Sequence, residues 1–234
     1  MLQIRKSHER GHANHGWLDS YHTFSFAGYY DPAYMGFSDL RVINEDRVEG
    51  GQGFPTHPHQ DMEIITYMLD GALAHRDSMG NSSTIRAGEV QRMSAGTGVR
   101  HSEFNASPDM QAHFLQIWLY PARAGIPPEY EQKAFSDAEK KNLLCLLVSP
   151  DGRDGSLHIN QDVLLYGAVL DAGHAVDYKF AKGRKGYLHI ARGSVQVDDH
   201  HLAAGDSVAI SDTAAINVQA PADATAEILL FDLP

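Results

Sequence analysis

The chain has 234 residues, of which 43% are hydrophobic and 21% charged, and its net charge of −11 corresponds to a pI of about 5.6. This balance allows a buried core, and the acidic charge without a long Lys/Arg cluster argues against a nucleic-acid or anionic-membrane surface. Cys145 is the only cysteine, which excludes an intrachain disulfide and a thiolate metal cluster. No stretch approaches 18 apolar residues and the N-terminus lacks an apolar signal region, so a soluble, cytoplasmic protein is expected.

Short β-segments separated by Gly, Asn, Asp and Pro dominate the pattern along the chain. One helix is predicted at 136–142, where Ser136 and Glu139 have the spacing of a capping box. Met79-Gly80-Asn81 is predicted to be a tight turn. The predicted strands, in chain order, cover residues 40–43, 63–69, 72–76, 114–120, 143–148, 187–191, 194–197, 207–210 and 227–233.

The second half of the chain repeats the pattern of the first. Gly71 is followed by a strand, a turn and Ala87-Gly88-Glu89 before the next strand, whereas a strand, Gly193, a strand and a turn precede Ala204-Gly205-Asp206. The segment 121–142, rich in Pro and charge, separates the halves. We predict an all-β protein of two tandem jelly-roll β-barrel units, spanning residues 1–132 and 133–234.

Histidines are concentrated in the first half, where nine of the 14 precede residue 114. His57 and His59 are two residues apart, so on a strand their side chains share a face, and Glu63 would continue that face if the strand ran unbroken. His101 and Glu103 form a second pair with the same spacing. A lone pair of this kind is more often surface polarity, but two pairs, each after a Gly-rich turn, favour a metal site.

Together the two pairs supply three imidazole nitrogens and one carboxylate. Such a mixed set suits a divalent first-row metal and leaves coordination positions open for substrate. Because Glu63 and Glu103 can both face inward with the histidines, strand parity alone does not choose between them.

These residues resemble the two cupin motifs. Gly51-x5-His57-x-His59-x3-Glu63 fits the first motif, and Gly88-x5-Ser94-x-Gly96-x4-His101-x3-Asn105 resembles the second, with Ser94 in the usual proline position. More narrowly, the chain resembles a bicupin of the pirin type. The matching segments are RGHANHGWLDSYHTFSF (10–26), THPHQDMEIITYMLDG (56–71), SAGTGVRHSE (94–103) and IWLYPARAGIPPEYEQKAF (117–135).

The pirin resemblance implies one metal in the N-terminal cupin domain, held by His57, His59, His101 and Glu103. It leaves Glu63, the carboxylate ligand of most cupins, as a candidate for supporting the ligands by hydrogen bonds. The C-terminal domain, with no H-x-H pair in a corresponding place, is expected to be a degenerate cupin without metal.

The other histidines and aromatic residues of the first half have two interpretations each. His12, His15 and His22 are favoured as hydrogen-bonded residues of a packed N-terminal segment, with a pocket wall as the alternative. His75 and His113 are interpreted as ordinary strand residues. Among the aromatic residues, core positions are favoured over pocket positions, although apolar walls beside a metal would suit an aromatic substrate; they include Phe26, Phe54, Tyr67 and Trp118.

The resemblance implies a quercetin 2,3-dioxygenase-like enzyme, which opens a flavonol-like ring with O2 and releases carbon monoxide. Its expected metal is iron(II), with nickel, copper, manganese, cobalt and zinc as alternatives, and Glu103 or Glu63 is the expected base. A small aromatic substrate and O2 are the predicted partners of a monomeric enzyme that binds neither nucleic acid nor membrane directly. The main alternative is a non-catalytic, redox-sensing regulator that acts through protein partners; a zinc-dependent sugar isomerase is a weaker one.

Overall fold

The computed structural model describes residues 1–234, and almost every regular element in it is a strand. The single α-helix, α1, spans Asp137–Lys140, and no helix is long and apolar enough to cross a membrane. The strands are β1 (Leu2–Arg5), β2 (Gly11–Asn14), β3 (Leu18–His22), β4 (Leu40–Val48), β5 (Gly53–His59), β6 (Glu63–Asp70), β7 (Ala72–Asp77), β8 (Ser82–Arg86), β9 (Glu89–Ser94), β10 (Val99–Asn105), β11 (Ala112–Leu119), β12 (Glu129–Ala134), β13 (Cys145–Ser149), β14 (Leu157–His158), β15 (Leu164–Leu170), β16 (Ala175–Lys179), β17 (Lys185–Val197), β18 (His200–Ala203), β19 (Ser207–Ile210), β20 (Ala215–Gln219) and β21 (Ala226–Leu233).

The chain divides into two compact units. The N-terminal unit contains Gly11–Ala134 and Leu157–Gln161, and the C-terminal unit contains Met1–Arg10, Phe135–Ser156 and Asp162–Pro234. The predicted ranges, 1–132 and 133–234, differ from these units at residues 1–10, 133–134 and 157–161. The first ten residues pair β1 with β19, and the short segment 157–161 is tied by Asn160 to Ser94 and by Gln161 to the Tyr120 carbonyl.

The N-terminal unit is built from two antiparallel sheets. One has seven strands in the order β12-β9-β6-β11-β4-β3-β2, and the other has four in the order β5-β10-β7-β8. Residues from both sheets form one apolar cluster, so the inner faces of the sheets meet there. This cluster contains Leu18, Val48, Met68, Leu73, Ile85, Ala112 and Phe114.

A row of buried polar side chains crosses the seven-stranded sheet at one level. His22 lies opposite Asn44, Asn44 opposite Gln116, Gln116 opposite Thr66, and Thr66 opposite Gln91. Residues that pair directly across antiparallel strands share a face of the sheet, so the five side chains form a continuous layer. The Thr66 hydroxyl donates to the Gln116 amide oxygen at 3.1 Å.

The C-terminal unit has its own apolar core and a main sheet in the order β1-β19-β17-β21-β15-β13. The two strands predicted at 187–191 and 194–197 are one continuous strand, β17, so the predicted break at Gly193 is wrong. Gly193 instead adopts a positive φ of 69° beside a register shift between Ile190 and Arg192. A Cβ at Gly193 would lie 2.0 Å from the Thr225 carbonyl oxygen, so the close approach of the backbone at Thr225 requires glycine.

The predicted local signals at the helix and the hairpin turn are confirmed. The Ser136 hydroxyl accepts from the Glu139 backbone N–H while the Glu139 carboxylate accepts from the Ser136 backbone N–H, which is a reciprocal capping box. Met79-Gly80-Asn81 closes the β7–β8 hairpin, and Gly80 has a φ of 97°.

Candidate metal centre

Three histidines meet where β5 pairs with β10. The antiparallel register places His57 directly opposite His101, and His59 follows His57 on the same face of β5. The ring centroids are 4.5 Å apart for His57–His101, and 4.9 Å for both His57–His59 and His59–His101. One nitrogen from each ring lies within 4.8 Å of the others, so the three predicted imidazoles are brought together.

Glu103 follows His101 on β10 and forms a second group of possible ligands with His75 and His101, separate from the three-histidine group. Inward and outward residues alternate regularly along β10, so Glu103 is buried on the same side as His101, as strand parity predicts. Its oxygens accept hydrogen bonds from the Gln116 side-chain amide at 3.2 and 3.4 Å. Burial raises the pKa of Glu103 to about 7; the Gln116 hydrogen bond opposes this, and the nearby Asp46 carboxylate adds to it.

Glu63 does not reach the histidines because β5 ends at His59. The chain turns at Asp61, whose φ of 47° is left-handed, and Glu63 begins β6 in the other sheet. The Glu63 carboxylate accepts from the Ser94 hydroxyl at 2.9 Å and from the Asn160 backbone N–H at 3.4 Å. The condition of an unbroken strand is therefore not met, and Glu63 lies outside the candidate ligand groups.

The imidazoles of His59 and His101 are in the neutral state that metal binding requires. Burial, reinforced by the neighbouring imidazoles, lowers the pKa of His59 to about 4 and that of His101 to about 2, so both rings are neutral near pH 7. The Pro55 carbonyl can only accept, so the His57 Nδ1 at 2.8 Å carries the proton and leaves Nε2 free to accept. The His101 Nε2 is buried without a hydrogen-bond partner. Neutral imidazoles beside a carboxylate fit a divalent transition metal.

A cavity of about 700 Å³ opens onto this centre. Most of its wall surface is apolar, and the polar side chains on it include Asn44, Asp46 and Gln116. No Lys or Arg lines it, so the cavity lacks the cations that a sugar-phosphate site would need. The lining residues are His12, Ala13, His15, Leu18, Ser20, His22, Phe26, Ala27, Gly28, Tyr29, Asn44, Asp46, Phe54, Pro55, His57, His59, Glu103, Gln116 and Trp118.

His12, His15 and His22 all line this cavity, and the side chains of His12 and His22 also form hydrogen bonds. His12 Nε2 contacts Asp19 at 2.6 Å, and His22 Nδ1 contacts the Asn44 amide oxygen at 2.9 Å. The two interpretations of these residues are therefore compatible, since a hydrogen-bonded ring can still form a wall. The preference for core positions is wrong for Phe26 and Trp118, which border the cavity; Trp118 meets the His59 ring edge-on at 4.9 Å. Phe54 lines the cavity and also packs against the apolar cluster, and Tyr67 is buried as expected.

Sequence reasoning missed two groups of polar residues in the N-terminal unit. Asp46 is fully buried, and burial raises its pKa to about 7 against the hydrogen bond from Ser20. His75, interpreted from sequence as an ordinary strand residue, lies beside His101 and bonds Asp77. His75 and Asp77 have the same i, i+2 spacing as the two proposed ligand pairs, and this spacing could have indicated from the sequence that they share a face.

The remaining histidines of the second half are scattered. His200 and His201 are exposed on β18, His189 is buried in β17, and His158 belongs to the N-terminal unit. None of them joins a cluster of possible metal ligands.

Comparison with known proteins identifies relatives over the whole chain. The family model Pirin matches residues 3–119, and that of a quercetinase C-terminal cupin domain matches residues 146–233. A quercetin 2,3-dioxygenase of Escherichia coli K12 is 51% identical over 234 residues, covering 100% of this chain and 99% of the relative. A pirin-like protein of Caulobacter vibrioides is 42% identical over 233 residues, covering 99% of each chain. The crystal structure of the E. coli bacterial pirin YhhW in complex with nickel(II) is 50% identical and superimposes with a TM-score of 0.94, covering 100% of this chain and 99% of that one.

Proposed function

The chain belongs to the pirin family, and from that premise we propose that it is a metal-dependent dioxygenase acting on flavonol-like enolic or phenolic compounds. O2 adds to the ring of the substrate, which opens with loss of carbon monoxide. The proposed metal ligands are His57, His59, His101 and Glu103.

The observation that carries this proposal is the cavity beside the three imidazoles. A sensor needs no space for a ring system at its metal, whereas an enzyme for aromatic substrates needs an apolar cavity that ends at the metal. The cavity of about 700 Å³ is of the kind that an enzyme for aromatic substrates needs, with Phe26, Tyr29 and Trp118 among its walls. The names of the relatives, quercetin 2,3-dioxygenase in E. coli and a putative one in Pseudomonas aeruginosa at 43% identity, support the same substrate class.

The proposed cofactor is one divalent transition metal. Iron(II) and nickel(II) are the first candidates, the second because the YhhW relative has a nickel(II) complex. When bound, the metal would supply Lewis-acid stabilisation of an enolate or phenolate oxygen.

The residues of the chain would do the rest of the work. Glu103 lines the cavity, and its carboxylate would accept the proton of the substrate hydroxyl as a general base. Gln116 donates to the Glu103 carboxylate and fixes its orientation. The aromatic walls would hold the ring of the substrate and exclude water from the opening ring.

The test is to incubate metal-loaded protein with quercetin under O2 and to measure substrate loss and carbon monoxide. We expect both with iron(II) or nickel(II), and their loss in Glu103→Gln but not in the matched variant Glu63→Gln. Neither substrate loss nor carbon monoxide with any of iron, nickel, copper, manganese, cobalt or zinc would refute the dioxygenase proposal for this substrate.

A further inference from the structure

A second pair of buried polar side chains lies behind the metal centre, on the neighbouring strand β7. His75 and Asp77 share the inner face of β7, and β10 pairs with that strand so that Asp77 lies opposite His101 and His75 opposite Glu103. Both side chains are fully buried, and neither lines the cavity. His75 therefore reaches the centre only through the residues that it contacts.

Asp77 can only accept hydrogen bonds in this environment. Its Oδ1 accepts from the backbone N–H groups of Met79 and Asn81 at 2.9 and 3.0 Å. Its Oδ2 accepts from the Asn81 side-chain amide at 2.8 Å and lies 3.0 Å from His75 Nε2. Since three donors already point at this carboxylate, the fourth contact must have the proton on His75 Nε2.

That proton determines the state of the next ring. A neutral imidazole with its proton on Nε2 has an acceptor at Nδ1, and His75 Nδ1 lies 3.5 Å from His101 Nδ1. The pair can form a hydrogen bond only if His101 Nδ1 carries a proton. His101 Nε2 is then the unprotonated nitrogen, and it is the buried atom that has no partner.

We propose that His75 and Asp77 are positioning residues that hold His101 in the tautomer with Nε2 free for the metal. This inference rests on the proposed ligand role of His101. The Asp77 carboxylate fixes the proton of His75 on Nε2, and His75 in turn fixes the proton of His101 on Nδ1. His101 therefore neither loses a proton nor changes tautomer when the metal binds.

The same contacts argue against a metal held by His75 itself, although His75, His101 and Glu103 form a second group of possible ligands. Nε2 of His75 is occupied by Asp77, and its Nδ1 faces His101. A metal between those two Nδ1 atoms would also leave His101 Nε2 buried and unpaired.

The first experiment needs neither metal nor substrate. Protein labelled with ¹⁵N-histidine is examined by NMR in the metal-free form near pH 7, with ring assignments from a His75→Gln variant and a His101→Gln variant. We expect His101 to be protonated on Nδ1 and unprotonated on Nε2, and His75 to be protonated on Nε2. A proton on His101 Nε2 would overturn the proposal, whatever the protein does with quercetin.

The second experiment is the isosteric variant Asp77→Asn. The two backbone donors keep the amide oxygen at the Oδ1 position, so the amide NH2 faces His75 Nε2 and the Asn81 amide must rotate. His75 Nε2 then accepts, its Nδ1 becomes protonated, and His101 is driven to the tautomer with a proton on Nε2. We expect nickel(II) to bind about 10–100-fold more weakly, measured by competition with a chromophoric chelator.

The matched control is Glu45→Gln, because Glu45 forms the same kind of contact with His113, at 3.0 Å, away from the centre. It should leave both the nickel(II) affinity and the His101 tautomer unchanged. Unchanged affinity in folded Asp77→Asn, or an equal loss in Glu45→Gln, would refute the inference. If Asp77→Asn fails to fold, the wild-type NMR measurement still decides.

Discussion

Metal binding should become weaker below about pH 7, and Glu103 should be the group responsible. Burial raises the pKa of Glu103 to about 7 in the metal-free protein. The hydrogen bond from Gln116 opposes this shift, and the Asp46 carboxylate adds to it. His59 and His101 have pKa values lowered to about 4 and about 2, so they remain neutral well below pH 7. A metal that binds at pH 6 must therefore displace a proton from Glu103.

The size of the effect follows from the competition between the proton and the metal. At one unit below its pKa, Glu103 is ionised in about one molecule in ten, which costs about 1.4 kcal/mol of apparent binding free energy. The apparent affinity should thus fall about tenfold for each pH unit below pH 7 and level off above it, where the carboxylate is already ionised.

The assay is calorimetric titration of metal-free protein with nickel(II) across this pH range, in buffers of different ionisation enthalpy. It should report the release of about one proton per metal at pH 6 and much less at pH 8. Glu103→Gln should bind more weakly at every pH and should lose this pH dependence. A flat affinity between pH 6 and 7, or a slope that survives in Glu103→Gln, would refute the assignment of the titrating group.

Three further predictions concern the same unit. Asp46→Asn should lower the pKa of Glu103, because the Asp46 carboxylate raises that pKa. The pH below which the nickel(II) affinity begins to fall should therefore be lower in this variant, and a higher pH would contradict the prediction. Glu63→Gln should leave the nickel(II) affinity unchanged in the same titration, because Glu63 accepts a hydrogen bond from Ser94 in the other sheet. A loss of affinity as large as that of Glu103→Gln would indicate that Glu63 is a metal ligand. Phe114→Ala should destabilise the protein by about 3–5 kcal/mol in urea unfolding of the metal-free form, because the side chain is fully buried, and a loss below about 1 kcal/mol would contradict the packing.

The metal-centre geometry was predictable where it depends on strand parity alone. His57 with His59, and His101 with Glu103, share faces because side chains alternate along a strand, and no tertiary information is needed for that. The choice between Glu63 and Glu103 depends on where β5 ends. The left-handed turn at Asp61 ends it, and a two-residue periodicity contains no information about such a turn.

The walls of the cavity were not predictable for a different reason. Trp118 is only partly exposed, and an aromatic residue on a mostly apolar strand has the same pattern whether it faces a core or a cavity. Asp46 lies on β4 among buried residues, and its position beside Glu103 depends on pairing between distant strands. The strand break predicted at Gly193 was wrong because a glycine is found both where a strand ends and at a bulge within a continuous strand.

The polar layer that crosses the seven-stranded sheet sets a limit on how heat-tolerant this protein can become. Gln91 is buried with neither of its side-chain polar atoms bonded, and each unsatisfied group of this kind costs about 1–3 kcal/mol. Exchanging its amide for an apolar side chain of similar volume should raise the melting temperature. The same exchange at Gln116, on the cavity side, would remove the donor that holds Glu103. Selection for thermal stability therefore favours an apolar residue at one position of this row, whereas selection for chemistry favours a polar residue two positions away.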